Sequence, residues 1–380
     1  MQTNKKVNEL VLWHEFDGPG DISINVLEKI CKMYSERNYI KINPVAKNIY
    51  EITAYFRGDK RGNEAPDMAF LPSDFVIFAN TGRFSEIPDN IFKDLISENS
   101  LKTMNFSGKQ YGLPVIGGNH LVLYYNKDIF PSGLLEWKEL KQKVDELQKK
   151  KIIPVSLDIC QLYWILPILS AFDAWPVKGC DPGNINYLAL KDAFRFIDTM
   201  MKQGIVGTFD ASTEMLEKFF DGKIGAIIAG EWSYGYIMRN LGEKAGVCAI
   251  PAINGRKCTS TTSTLGLVYV EQSLQSEYRD ELLGFGKFLL SEECQMMWLN
   301  EVDRIPLNVN ISQKIKNSAS QNKRIVLEEM YASHPLLITE TSKNLWPVME
   351  LGKELFWQRC LGIDETIEKM KEKVQLLNAG

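Results

Sequence analysis

Histidine is scarce in this 380-residue chain: only His14, His120 and His334 occur. His14-Glu15 opens like the zinc-binding H-E-x-x-H pattern, but position 18 is Gly, so the second ligand is missing and no metal site is expected. Seven cysteines, at 31, 160, 180, 248, 258, 294 and 360, contain no C-x-x-C pair and no zinc-ligand spacing. Such a scattered, odd set reads as buried free thiols and leans towards a reducing compartment. Cys248 and Cys258, which flank "AIPAINGRK", are a candidate hairpin-like disulfide that geometry must decide. No apolar run is long enough to cross a bilayer; "YWILPILSAF" (163–172) is too short and is broken by Pro167. The opening "MQTNKKVNELVLW" has basic residues but no apolar h-region, which implies either a cytosolic protein or one whose export signal has been removed.

Excess positive charge is also missing. Lys and Arg total 44 against 48 Asp and Glu, a net charge of −4, which argues against a nucleic-acid or anionic-membrane partner. The densest basic run, "KQKVDELQKK", is interleaved with Asp145 and Glu146 and reads as a solvated helix face. There is no G-x-S-x-G, and "FDGPGD" lacks the dinucleotide-binding spacing. Gly225 and Gly230 have the glycine spacing of a P-loop. Glu231, however, stands where the phosphate-binding Lys belongs, and the residues between read as an apolar strand, so nucleotide binding is rejected and no cofactor is expected. No internal repeat or low-complexity segment is apparent.

What is present is an ordinary globular composition, 45% hydrophobic and 24% charged, in a chain long enough for two domains or one large one. "ELVLWHEF" (9–16) reads as a strand, "DGPGD" as a turn, and the segment from Ile22 through Val26, Leu27, Ile30 and Tyr34 as an amphipathic helix. "IKINPVA", "NIYEITAYFRGD" and "APDMAFLP" continue the strand–helix–strand alternation, which points to parallel βαβ units in an open α/β sheet. Glycines 112, 117 and 118 then precede a strand at 120–125. Helices are expected at 134–151, 161–172, 187–204, 212–223 and 278–300, the last as one long amphipathic helix, with a further helical tail from 323. "GAIIAG" (225–230), "VCAIPA" (247–252) and "STLGLVYVEQS" (263–273) read as extended.

Carboxylates collect at strand exits: Glu15 and Asp17 after the first strand, Asp74 after the third, and Glu231 after 225–230. Ligands of open α/β sheets sit at such ends. Two facing carboxylates suit glycoside cleavage, and equally they accept hydrogen bonds from sugar hydroxyls without reaction. Trp137 and Trp298 lie on amphipathic helices and read as packing residues. Trp232 follows a strand-ending glycine, with Tyr234 and Tyr236 close behind, and Trp346 precedes Pro347 at a helix start; both indoles are candidates to face a cleft.

Taken in order, several stretches carry a family pattern. These are "ELVLWHEFDG", "GNEAPDMAFLPSDFVIFANTGRFSEIPD", "NFSGKQYGLPVIGGNHLVLYYNKDIF", "FFDGKIGAIIAGEWSYGYI" and "IPLNVNI". From about residue 9 onward the chain resembles the family 1 extracellular solute-binding proteins of ABC importers, the maltose-binding-protein type. The resemblance implies an α/β, two-lobed periplasmic-binding-protein-like fold of type II, with a ligand cleft between lobes joined by a three-segment hinge. The implied lobes are 7–117 with 264–308, and 118–263 with 309–380, with crossings near 116–121, 261–265 and 306–312. Glycines 117–118 and the Ser/Thr cluster "TSTTSTLG" suit segments that absorb backbone rotation.

By the same resemblance the ligand-binding positions are Asp17, Leu71, Asp74 and Asn119, with Glu231 adding a carboxylate. Trp232 and Trp346 are the implied stacking platforms, with Tyr234 beside Trp232 and Tyr163 or Trp164 as a third. Gly18 and Phe75 stand where malto-oligosaccharide binders carry charged contacts, a departure that bears on maltodextrin specificity. The implied function is a non-enzymatic carbohydrate receptor that closes on its ligand. Its implied partners are a sugar and membrane permease subunits, without nucleic acid, and the receptor is a monomer. Its implied location is extracytoplasmic, in the periplasm or lipid-anchored at the cell surface. The competing readings are the same fold binding a non-sugar small solute, a glycoside-processing enzyme using Glu231 and Asp17, and a cytosolic sugar sensor.

Overall fold

The computed structural model describes residues 9–16, 21–59, 65–89, 91–175, 184–209, 212–311, 315, 319–336 and 344–379. The chain divides into two compact units, Met1–Asn119 with Ser263–Ser318, and His120–Thr262 with Ala319–Gly380. The main chain therefore passes from one to the other at Asn119/His120, Thr262/Ser263 and Ser318/Ala319.

The sheet of the first unit starts from the βαβ alternation legible in the sequence. Glu9–His14 lies parallel to Lys41–Ala46 on one side and to Met68–Pro72 on the other. Beyond Met68–Pro72 the sheet continues antiparallel through Thr261–Tyr269, Gly112–Gly118 and Ile305–Pro306. The helix Ser23–Asn38 buries Val26, Leu27, Ile30, Cys31 and Tyr34, a 3.6-residue stripe, against this sheet's core. Asn48 caps the helix Ile49–Phe56 by accepting the Glu51 N–H at 2.9 Å.

The single long helix expected over 278–300 is instead two, Arg279–Leu289 and Glu292–Val302. Ser291 explains the break: it is extended, and its hydroxyl accepts the Cys294 N–H at 3.3 Å, so it starts a new helix instead of continuing the old one. The second helix delivers Trp298 into the core, where it is fully buried against Phe16 and Phe70 at 5.9 and 6.0 Å between ring centroids. The packing role read for Trp298 is thus what the structure shows.

The second unit is built on a five-stranded sheet ordered Ala245–Cys248, Leu121–Asn126, Ile224–Gly230, Ile153–Ser156 and Val206–Gly207. Its middle strand, Ile224–Gly230, is buried at every residue, as expected of a strand covered on both faces. A side chain at Gly225 would strike the ring of Phe130 within 2.5 Å, so this glycine is a packing residue of the sheet. Trp137 is buried edge-on to Phe196 at 5.5 Å, again a core residue. Cys248 and Cys258 are both free thiols, which corrects the candidate disulfide. The Cys248 sulfur turns to the Leu134 carbonyl at 3.5 Å, while Cys258 is buried in the core. Burial pushes the two thiols up to about 11 and about 12, so neither is a reactive thiolate. Cys180 lies outside the described residues.

His14, at the end of the first strand, is 1% exposed and its Nδ1 accepts the Phe16 N–H at 3.3 Å. Burial pulls its pKa from 6.5 down to about 4. A histidine held neutral in the fold but free to protonate when unfolded contributes stability above pH 6.5 and loses it as the pH falls towards 4. In urea titrations the His14→Gln variant is therefore expected to show a shallower loss of stability than the wild type between those two pH values. Parallel pH profiles would contradict the assignment.

Candidate functional site

In the first unit, polar side chains gather beside two of the chain crossings. The strand Gly112–Gly118 ends in two residues of positive φ, Gly118 at 118° and Asn119 at 47°. Asn tolerates this left-handed conformation better than most residues. Its side-chain amide donates to the Ser263 hydroxyl at 2.7 Å, which ties the first crossing to the second. The neighbouring Thr264 hydroxyl meets that of Thr103 at 2.6 Å, and the Thr264 N–H donates to the Ser73 hydroxyl at 3.3 Å. Asp74 follows Ser73 in the 3-10 turn Ser73–Thr81. It is half-buried, and desolvation raises its carboxyl from 3.8 to about 6. Leu71, expected to face the ligand, is fully buried in Met68–Pro72 opposite Gly266. Asp17 lies outside the described residues.

In the second unit the aromatic residues separate into groups. Ile224–Gly230 runs straight into the turn Glu231–Ser233 and the helix Tyr234–Leu241. The Glu231 N–H donates to the His120 carbonyl at 2.9 Å, which fixes the start of the turn, and the Glu231 side chain is buried. Trp232 then folds back over the strand end. A Cβ on Gly230 would lie 2.2 Å from the indole, so only glycine leaves room for it. The indole meets Tyr163 at 6.4 Å and Trp164 at 6.0 Å, both on the helix Leu162–Ala171. Tyr163 and Trp164 are themselves edge to face at 5.7 Å. All three rings are half-buried, resting on the core while keeping some open surface.

Tyr234 does not join them. A residue two positions along a helical turn points elsewhere, and this ring is buried, with its hydroxyl 3.2 Å from Ser320 and the Lys323 ammonium 4.9 Å above its face. Tyr236 packs on Phe220 at 5.4 Å. Trp346, in the first turn of Leu345–Lys353, is half-buried and stands edge-on to Trp175 at 5.6 Å. Trp175 was not singled out in the sequence, where the one available sign was a further tryptophan just after a helix. Among the described residues no group of three or more His, Cys, Asp or Glu is placed to hold a metal. A surface groove of about 540 Å³ in the first unit, lined by Asn25, Glu28, Lys29, Lys32 and Glu301, is bridged by the Lys29–Glu301 ion pair and has no aromatic lining.

Residues 29–323 match the family described as bacterial extracellular solute-binding protein. The chain belongs to that family. It is also similar to the maltodextrin-binding protein MdxE of Bacillus subtilis (strain 168), 20% identical over 337 residues that cover 84% of this chain and 79% of that protein. The mixed α/β fold is that of the two-lobed solute-binding proteins, and proteins of this family typically bind their solute without transforming it. No helix among the described residues is long and apolar enough to cross a membrane. Among the described residues, the half-buried ring cluster of the second unit and the polar group of the first are candidate surfaces for a small molecule.

Two expectations follow from this geometry. Asp74 has a folded-state pKa above its unfolded value, so its ionisation opposes folding, and the stability it contributes at low pH is lost as the pH rises from 3.8 through about 6. Asp74→Asn should accordingly raise the denaturation midpoint at pH 7 and leave it unchanged below the unfolded pKa; an equal effect at both pH values would show that desolvation is not the cause. Gly230→Ala should drive the Trp232 indole off Tyr163 and Trp164, seen as a red-shifted tryptophan emission from a folded protein. Unchanged emission would mean that the ring finds room elsewhere on the same neighbours.

Proposed function

We propose that this protein is the carbohydrate-binding receptor of an ABC importer, acting outside the cytoplasmic membrane and handing its ligand to permease subunits. On this reading it is non-enzymatic and closes on its ligand by rotation at the three chain crossings. The observation that carries the reading is the cluster of Tyr163, Trp164 and Trp232, half-exposed at the exit of a central strand. Flat rings suit the C–H faces of sugars, and MdxE is named as a maltodextrin binder.

The magnitudes decide how much the rings can do. Covering about 100 Å² of apolar surface gives roughly 2.5 kcal/mol at ~25 cal/mol/Å². A micromolar affinity requires about 8 kcal/mol. Stacking on one ring therefore supplies less than half. The remainder falls to directed hydrogen bonds, for which Asp74 and Asn119, together with Asp17, are the proposed partners, and to Trp346 as a further platform. Carboxylates suit this role because each accepts several hydroxyl hydrogen bonds.

A thermal-shift screen against maltodextrins and other neutral sugars tests the proposal. A sugar at a hundredfold its dissociation constant should stabilise the protein by about 2.7 kcal/mol. Trp232→Ala should abolish the shift, and because this ring also packs on its neighbours it should lower the unliganded melting temperature moderately. Trp232→Phe should keep part of both. If no sugar shifts the wild type while a non-sugar solute does, the carbohydrate reading is wrong; release of shortened sugars on long incubation would instead mark an enzyme.

A further inference from the structure

The helix Leu162–Ala171 carries Tyr163 and Trp164 but is poorly equipped to hold its own first turn. Gln161, at its N-cap, makes no capping hydrogen bond. Pro167 has no N–H to donate back to the ladder at Tyr163. The turn is held from outside, by the helix Leu345–Lys353 that bears Trp346. One oxygen of Glu350 accepts the Leu162 N–H at 3.3 Å, one of the first-turn N–H groups that have no partner within the helix. The other oxygen pairs with the Lys353 ammonium at 2.9 Å, and that ammonium also donates to the Cys160 carbonyl in the loop just before the helix. The Lys353 side chain is only 6% exposed, so its charge depends on these oxygens, whereas that of Glu350 is 44% exposed. Asp158 completes the loop by accepting the Cys160 N–H at 3.0 Å.

We propose that Glu350 and Lys353 are positioning residues: they lock the Tyr163–Trp164 platform to the helix carrying Trp346, and so set the length of sugar that the second unit accepts. This rests on the carbohydrate reading for its ligand, but the locking itself is measurable without one. An ion pair that serves stability alone can be replaced by apolar residues of similar size at little cost. An ion pair that sets register cannot, because methionines neither cap Leu162 nor hold the Cys160 carbonyl.

The test is the double variant E350M/K353M of the full chain, with K353M and K353R alongside. Circular dichroism reads the exciton band of the edge-to-face Trp164–Trp232 pair in the unliganded protein, and calorimetry reads binding of maltose, maltotriose and longer maltodextrins. The double variant is expected to melt close to the wild type but to lose the exciton band. Its affinity for the longest sugar bound by the wild type should weaken roughly tenfold, about the worth of one hydrogen bond, while shorter sugars are less affected. A wild-type band together with a wild-type length preference would overturn the proposal. Should the double variant fail to fold, K353R retaining the band where K353M loses it supports the positioning role, and identical bands in the two singles oppose it. If the wild type binds none of the sugars, the carbohydrate reading fails while the exciton band still judges the lock.

Discussion

The candidate site of the second unit depends on one set of backbone hydrogen bonds, those joining Ile224–Gly230 to its two neighbours. It runs parallel to Ile153–Ser156, with Ile227 opposite Ser156, and antiparallel to Leu121–Asn126, with Gly230 opposite Leu121. Parallel strands end at the same edge of a sheet, and an antiparallel one begins there. Three chain segments are thereby brought to one edge: the crossing at Asn119/His120, the turn carrying Glu231 and Trp232, and the loop that leads from Ser156 to Tyr163. This is the carboxyl edge of the parallel pair, where open α/β sheets place their ligands. Ile224–Gly230 is buried on both faces, and its register is held by close packing, since only glycine fits at 225 against Phe130 and at 230 beneath Trp232.

The same edge shows how local strain and distant support divide the work. Gly230 gives up a side chain so that an indole can occupy its place. The helix opposite lacks both its own cap and one ladder hydrogen bond, and borrows a carboxylate and an ammonium from Leu345–Lys353. Neither feature helps the strand or helix in isolation. Both make sense as the conditions under which Trp232 and Trp164 can meet at 6.0 Å, edge to face. Rings fixed in this way lose little freedom when a ligand arrives, which is where a rigid platform gains over a mobile one.

Much of the fold was legible because periodicity is a property of short segments. The βαβ alternation at the N-terminus, the helix stripe from Val26 to Tyr34 and the buried strand ending at Gly230 are each written in a dozen residues or so. The break at Ser291 is also encoded, in a serine followed by two glutamates that caps a new helix within an otherwise helical periodicity. Site geometry was less accessible. That Trp232 sits at a strand exit could be read, but that Tyr234 is buried against Lys323 depends on the helix beginning at that residue. Trp346 finding Trp175, and Glu350 finding Leu162, are contacts between segments far apart in sequence, for which one chain without periodic signal offers no clue. The resemblance implies a ligand-facing Leu71, whereas the side chain is fully buried in the sheet, in a strand paired edge to edge with Thr261–Tyr269.

The position after Asp74 links specificity to electrostatics. Phe75 stands where a charged contact was expected by resemblance, and it is buried edge-on to Phe56 at 6.2 Å. Among the described residues no ion pair involves Asp74, and no neighbouring cation offsets the desolvation that lifts its carboxyl to about 6. A carboxylate in that condition gains more than usual from any donor that reaches it, since a hydroxyl hydrogen bond then relieves a penalty the fold already carries. On the carbohydrate reading proposed above, the exchange of a charged neighbour for a core phenylalanine leaves Asp74 as an acceptor that favours a neutral ligand rich in hydroxyl donors.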